Sequence, residues 1–336
     1  MNTTKMQQTD FKEIFKRFEG IKVLIIGDVM LDSYLWGAVN RISPEAPVPI
    51  VNVQKRDQRL GGAANVALNI QALGAEPILC SVIGNDLEGE SLMRLMATND
   101  LGFHGIVQSF SRITTVKHRI MSGSQHLLRV DSETDKNLNE DEQNDLWRKI
   151  TALITDCQVV IFEDYDKGVL NGELIQKIVN FASERNIPTI VDPKKRNFLE
   201  YRHVTLFKPN LKELKEGLKI DFDAKNQTQL EDAVNQLKDY LQADKILVTL
   251  SERGIYIQSE KEKHLFPAHI RSIADVSGAG DTVVSIAALC LALNLPDNII
   301  ATLSNLGGGL VCEHLGVIPI DKMALLKEAE ENLTQI

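Results

Sequence analysis

The sequence predicts an α/β protein, a mostly parallel sheet between two helical layers with smaller β-rich excursions. Three observations predict it. From residue 140 onward, short apolar strands alternate with helices, the pattern of right-handed β–α–β crossovers. Near the N-terminus, Lys22-Val23-Leu24-Ile25-Ile26-Gly27-Asp28 is a continuous apolar run ending in Gly-Asp, as in a strand buried on both faces. Finally, polar clusters recur just after the strands, at the edge where parallel sheets bind ligands.

The bulk numbers agree. The 336 residues suffice for a sizeable core, and 43% hydrophobic with 25% charged content is ordinary for a globular chain. A net charge of −9 argues against a nucleic-acid surface. The four cysteines, Cys80, Cys157, Cys290 and Cys312, form no C-x-x-C pair, which fits free thiols in a reducing compartment. No apolar run is long enough to span a bilayer and the start of the chain is polar, so a cytoplasmic protein without membrane contact is expected. With no repeat and no linker, residues 1–336 read as one domain.

The elements follow in order. Residues 11–18 have helical apolar spacing, and 22–28 form the first strand. Asp28 and Asp32 then fall at its carboxyl end, as site residues or as turn residues. Residues 33–60 hold Trp36, Pro44, Pro47 and Pro49 among alternating stretches, and read as a β excursion from the main sheet. Gly61-Gly62 opens a helix closed by Gly74. Those glycines allow close approach of a ligand, with Asn65 able to bond its hydroxyls, or they allow a tightly packed helix start. A strand (77–83) and a helix (86–96) precede a second excursion at 104–131, with a hairpin pattern around residues 122–125. Lys117, Arg119 and Arg129 stand out there as basic residues in an acidic chain. They are contacts for a substrate phosphate or a solvated strand face. The regular α/β part then places Glu163 to Gly168, Asp192 to Lys194, Lys208 to Glu213 and Ser251 to Gly254 at strand ends. Two helices (297–314 and 321–333) close the chain. Gly307-Gly308-Gly309 inside the first of them serve a flat ligand such as adenine, or close helix packing.

The stretch Asp275-Val276-Ser277-Gly278-Ala279-Gly280-Asp281-Thr282 carries the chemistry. Small residues Gly278, Ala279 and Gly280 stand where a loop enters an apolar helix, so first-turn amides can hold an anion. A carboxylate beside such a nest is unsuited to binding phosphate. Asp281 is suited to taking a proton from a hydroxyl that attacks a phosphoryl group. Helix capping by Ser277 or Asp281 is the simpler reading, but it does not account for Gly-Ala-Gly. The chain has no G-x-x-x-x-G-K-[ST], no G-x-G-x-x-G after the first strand and no zinc-spaced Cys/His cluster.

This octapeptide resembles the C-terminal signature of the ribokinase-like (PfkB) carbohydrate kinases, and the resemblance runs from about Ile21 to Val317. It implies a three-layer α/β/α fold with a small β-sheet lid, which the excursions at 33–60 and 104–131 match. Gly27-Asp28-Val29-Met30-Leu31-Asp32, the run from Arg41 to Pro49, Gly61 to Ala67, and Asp164-Tyr165 with Lys167-Gly168 resemble more closely the kinase part of bacterial heptose enzymes. Those phosphorylate O1 of D-glycero-β-D-manno-heptose 7-phosphate on the route to ADP-heptose and lipopolysaccharide. The chain resembles the stand-alone kinase type, which implies a separate adenylyltransferase.

The roles implied by the resemblance are these. Asp281 is the base, with Gly278, Ala279 and Gly280 as anion hole. Asp32, Gly61, Gly62 and Asn65 contact the sugar, and Lys117, Arg119, Arg129 and Lys194 its phosphate. Asn210 and Glu213 place Mg²⁺ and the ATP phosphates, Glu213 through water. Thr249, Ser251, Gly254 and Asn305 line the nucleotide site. Asp275 and Ser277 hold a monovalent cation such as K⁺. A homodimer through the lid is expected, the outer faces of its strands being apolar. Residues 162–166 depart from the pattern, being more acidic than the small residues expected there; they shift substrate contacts or face solvent. Two other readings stay open: a kinase for another sugar, and a non-catalytic sugar- or nucleotide-binding regulator, against which the intact Asp281 and glycine loop argue.

Overall fold

Alternate side chains of strand β1 (Lys22–Gly27) enter two different cores: Val23 and Ile25 one, Leu24 and Ile26 the other. A strand buried on both faces requires helices on both sides. The computed structural model, which describes residues 10–332 apart from Ser124, supplies them. In chain order, α1 (Phe11–Arg17), α2 (Ala63–Ala72) and α3 (Leu87–Thr98) cover one face. Helices α4 (Glu140–Leu153), α5 (Gly172–Ser183), α6 (Leu211–Leu218) and α7 (Gln227–Leu241) cover the other. Then α8 (Ala279–Ala292), α9 (Asp297–Val311) and α10 (Lys322–Asn332) return to the first.

The remaining strands are β2 (Val29–Ile42), β3 (Pro49–Gly62), β4 (Glu76–Gly84), β5 (Gly105–Ser109), β6 (Val116–Ser122), β7 (Gln125–Ser132), β8 (Val159–Glu163), β9 (Thr189–Asp192), β10 (Leu206–Phe207), β11 (Lys245–Thr249), β12 (Ile255–Gln258) and β13 (Lys263–Phe266). Among the described residues they form two sheets. The nine-stranded one runs β13-β12-β11-β10-β9-β8-β1-β4-β5 and is parallel from β11 to β5; β12 and β13 add antiparallel. The four-stranded one runs β3-β2-β6-β7. Helices on both faces and polar strand ends along one edge are what the sequence predicts.

Two boundaries of the small sheet differ from expectation. Residues 105–109, placed by sequence in the second excursion, are the edge strand of the main sheet, where Ile106 and Val107 are buried beside β4. The first excursion starts at Val29 rather than at 33, because Val29 to Leu31 are still buried when the chain leaves β1. Two of the three α9 glycines, Gly307 and Gly308, are explained by helix packing. A Cβ on Gly307 would stand 2.1 Å from Ile286 Cδ1, and one on Gly308 2.8 Å from Val283 Cγ2, so α9 lies close against α8. All four cysteines are free and buried. No helix among the described residues is long and apolar enough to cross a membrane.

Candidate active site

Helix α8 begins at Gly278, which takes a left-handed φ of 82°, and no side chain caps it. Ser277 is unavailable as a cap: its hydroxyl and amide both donate to Asp275 Oδ1, at 2.8 and 3.0 Å. Asp275 Oδ2 accepts from Gly316 N at 3.0 Å. Burial pushes the Asp275 carboxyl up, but these donors outweigh it and hold the group below the usual carboxylate range.

Asp281 lies in the first turn of α8 and is only 4% exposed. Each of its oxygens accepts one hydrogen bond, Oδ2 from Asn65 Nδ2 at 2.6 Å and Oδ1 from the Tyr165 hydroxyl at 2.8 Å. Burial pushes its pKa up to about 6; Asp192 adds to the rise, and the Asn65 and Tyr165 bonds oppose it. That is a value poised for proton transfer near neutral pH.

Two further carboxylates stand beside it. Glu163 ends β8 and Asp192 ends β9, paired in register on adjacent parallel strands. Oxygens of Glu163, Asp192 and Asp281 lie within 4.8 Å of one another. Asp192 is balanced by buried Lys208 at 2.9 Å. Gly280 is small where this pair passes, since its Cβ would stand 3.3 Å from Asp192 Oδ2. Glu163 is wholly buried, so the departure at 162–166 does not face solvent there, and neither of its side-chain oxygens has a hydrogen-bond partner.

Tyr165 reaches Asp281 because Asp28 holds its loop. The Asp28 carboxylate, just beyond β1, accepts from the amides of Tyr165 (2.8 Å), Lys167 (3.1 Å) and Val169 (3.1 Å). Asp164 is tied down separately by Asn197 Nδ2 (2.9 Å) and the Tyr201 hydroxyl (2.7 Å). Sequence reasoning quoted Asp28 and Tyr165 without giving either a role at the base. Their signal was present in the Gly-Asp strand end and the Asp-Tyr pair, but only the fold joins them. Tyr165→Phe removes one hydrogen bond worth roughly 1 kcal/mol. We expect kcat to fall severalfold, KM for ATP to hold, and the acid limb of the kcat–pH profile to move to higher pH, because the lost donor favoured the anion. An unchanged profile and rate would show that the hydroxyl does not act on Asp281.

The other sequence-picked residues gather unevenly. Gly61 and Gly62 form the corner between β3 and α2. A Cβ on Gly61 would stand 2.4 Å from Asp32 Oδ2, and Gly62 adopts φ 58° with Asp28 O 2.4 Å from its would-be Cβ. Asp32 forms an ion pair with Arg119. Thus Asp32, Gly61, Gly62 and Arg119 gather at the corner where α2 begins, and from that helix Asn65 reaches Asp281. The remaining basic residues are each held by acids. Lys117 faces Asp131 (3.6 Å) and Glu133 (3.5 Å), Arg129 faces Asp131 (3.0 Å), and Lys194 pairs with Glu213 (2.8 Å) while its ammonium lies 5.1 Å from the centre of the Tyr165 ring. Burial pulls the Lys194 pKa down, but Asp192 and Glu213 push it up further, so it stays charged.

Asn210 and Glu213 form a reciprocal capping box at the start of α6. Glu213 Oε2 accepts from Asn210 N (2.8 Å) and Oε1 from Lys194. Thr249 ends β11 and bridges to Asn210. Ser251 starts the turn closed by Gly254, whose Cβ would stand 2.0 Å from Phe266 O. Asn305 donates to Pro267 O at 2.8 Å. The two clusters therefore lie along one carboxyl edge, with Asp281, Glu163 and Asp192 between them.

A buried carboxylate at a helix start on that edge, next to a separate four-stranded sheet, is the arrangement of a ribokinase-like kinase. Residues 21–323 match the family model of the pfkB family carbohydrate kinases, and the chain belongs to that family. It is a carbohydrate kinase. Among similar proteins, the Bifunctional protein HldE of Methylobacillus flagellatus is 40% identical over 310 residues, covering 92% of this chain and 63% of that protein. That of Helicobacter pylori is 37% identical over 307 residues, covering 91% and 66%. The chain thus spans about two thirds of the length of these relatives. Among solved structures, phosphofructokinase-2 from Escherichia coli in complex with potassium superposes with a TM-score of 0.78 at 18% identity, covering 94% of this chain and 99% of that one. Arabidopsis thaliana ribokinase complexed with ribose and ATP gives 0.70 at 13%, covering 92% and 98%. At such identities the likeness shows the fold.

Proposed function

We propose that the chain transfers the γ-phosphoryl group of ATP to O1 of D-glycero-β-D-manno-heptose 7-phosphate, in the cytoplasm, as a step toward ADP-heptose and lipopolysaccharide. The observation that carries the chemistry is Asp281, buried and held between Asn65 and Tyr165 at the uncapped start of α8. The run from Arg41 to Pro49 and the identity with the HldE proteins support the heptose substrate.

Asp281 takes the proton from the attacking hydroxyl as the phosphoryl group transfers in line. The first amides of α8, at Gly278 to Gly280, stabilise the charge that develops. Asn65 Oδ1, buried and without a protein partner, accepts from a sugar hydroxyl. Arg119, pinned by Asp32, offers its remaining donors to the distal phosphate, with Lys117 and Arg129 on the same face of the small sheet. Thr249, Ser251, Gly254 and Asn305 line the nucleotide side. Asn210 and Glu213 present oxygen donors of the kind Mg²⁺ takes, and Glu213, with both oxygens already bonded, would reach it through water. Bound with ATP, Mg²⁺ offsets the phosphate charge. Asp275, with Ser277, is the place for a K⁺ ion behind the helix start.

The opposite face of the small sheet carries Leu128 and Val130, 58% and 48% exposed, with Leu35 and Ile120 on the same face. Such a patch supports a homodimer through the lid. The test is ADP release with ATP·Mg²⁺ and a panel of the heptose 7-phosphate (both anomers), ribose, fructose and fructose 6-phosphate. Selective turnover of the heptose, with phosphate on O1, is expected. Turnover only with another sugar would keep Asp281 as base and remove the heptose reading.

A further inference from the structure

The carboxyl group of Glu163 has no role in the transfer just described. It sits at the end of β8, fully buried, and neither oxygen meets a donor. The cations nearby are already committed. Lys208 is paired with Asp192, and Lys194 with Glu213. Asp281 has its own two donors, Asn65 and Tyr165. A buried carboxylate with no compensating partner costs several kcal/mol. It therefore persists either as the neutral acid or with a cation beside it.

The geometry points to a cation: we propose that Glu163, Asp192 and Asp281 form a divalent-metal site that fills without nucleotide and, when filled, takes the catalytic base out of use. Their oxygens lie within 4.8 Å of one another. Carboxylates bind Mg²⁺ or Ca²⁺ at roughly 2.0–2.6 Å, so oxygens on opposite sides of such an ion stand about 4–5 Å apart. Two of the three side chains are fixed by adjacent parallel strands in register, Glu163 opposite Asp192. The third is held by the first turn of α8. All the donors are carboxylate oxygens, which selects hard cations such as Mg²⁺ and Mn²⁺.

The consequence follows from the shared ligand. A metal ion on Asp281 occupies the lone pairs that must receive the hydroxyl proton. Divalent cation in excess of ATP is therefore inhibitory, and the inhibition weakens as sugar binds.

The test is direct binding of Mn²⁺ to the nucleotide-free protein, followed by the paramagnetic signal of free Mn²⁺ or by calorimetry, with neither ATP nor sugar present. Wild type is expected to bind one ion. Glu163→Gln and Glu163→Ser weaken that binding roughly tenfold or more, and Glu173→Gln, at the exposed start of α5, leaves it unchanged. Thermal unfolding confirms that each variant folds, and Mn²⁺ should raise the midpoint of wild type but not of the Glu163 variants. In turnover assays, Glu163→Gln is less inhibited by excess Mn²⁺. No binding by wild type at millimolar Mn²⁺, or equal binding by the Glu163 variants, overturns the proposal and leaves Glu163 as a neutral acid. Because the binding assay contains no sugar, its outcome is independent of the heptose assignment.

Discussion

Asp281→Asn is expected to fold, to bind ATP with near wild-type affinity, and to turn over roughly a thousandfold more slowly, the scale of a lost general base. The substitution is nearly isosteric. Its amide oxygen still accepts from Asn65, and its NH₂ donates to the Tyr165 hydroxyl, which can rotate from donor to acceptor. What is lost is the ability to take a proton. In wild type that ability depends on pH, because burial places the Asp281 pKa at about 6. The base must be ionised, so kcat rises with pH through about 6, and an assay one unit below retains roughly a tenth of the plateau. Stability runs the other way. A carboxyl whose pKa rises on folding from 3.8 to about 6 favours the folded state at low pH and loses that contribution as pH climbs through 6. The loss is on the order of 3 kcal/mol. The Asn variant has no such ionisation, so its stability relative to wild type should increase between pH 4 and pH 7. Urea unfolding at the two pH values, beside the kcat–pH profile, measures both. Turnover near wild type in Asp281→Asn would remove the base assignment.

The difference between what the sequence revealed and what it hid has a physical origin. Strand β1 was legible because burial on both faces forces an unbroken apolar run, and α8 because eleven consecutive residues after its start are buried or nearly so. The start of α8 was legible for a local reason: a left-handed cap requires glycine, and Gly278 with Gly280 stands in the chain order that an anion-binding turn needs. Strand β5 was not, since Ile106 and Val107 alone do not distinguish a main-sheet edge from a lid strand. Asn210 and Glu213 were read as ligands, and the fold shows them capping α6; the spacing of the two is that of a capping box. Gly307 and Gly308 of α9 remained open in sequence because their reason lies in Ile286 and Val283, on another helix. Tyr165 and Glu163 were the hardest. Their surroundings come from residues 28, 65, 192, 208 and 281, which nothing local in the chain connects. A lone acidic residue at a strand end also looks solvent-facing until the neighbouring strands are in place.

Asp28→Ala should destabilise the protein by roughly 2–4 kcal/mol, because three loop amides lose their acceptor and only those near the surface regain one from water. The larger interest is in its effect on rate. Asp28 does not contact Asp281; it acts by holding the loop from which the Tyr165 hydroxyl reaches the base. Removing the acceptor should free the loop and so cost at least what Tyr165→Phe costs in kcat. The two substitutions act on one chain of contacts, so their effects should not add. The double variant, Asp28→Ala with Tyr165→Phe, should therefore turn over close to the rate of Asp28→Ala alone, while its stability loss stays that of the Asp28 change. A rate loss in the double variant equal to the product of the two single losses would separate the residues: Tyr165 would then act without Asp28, and the carboxylate at the end of β1 would be an anchor for stability alone.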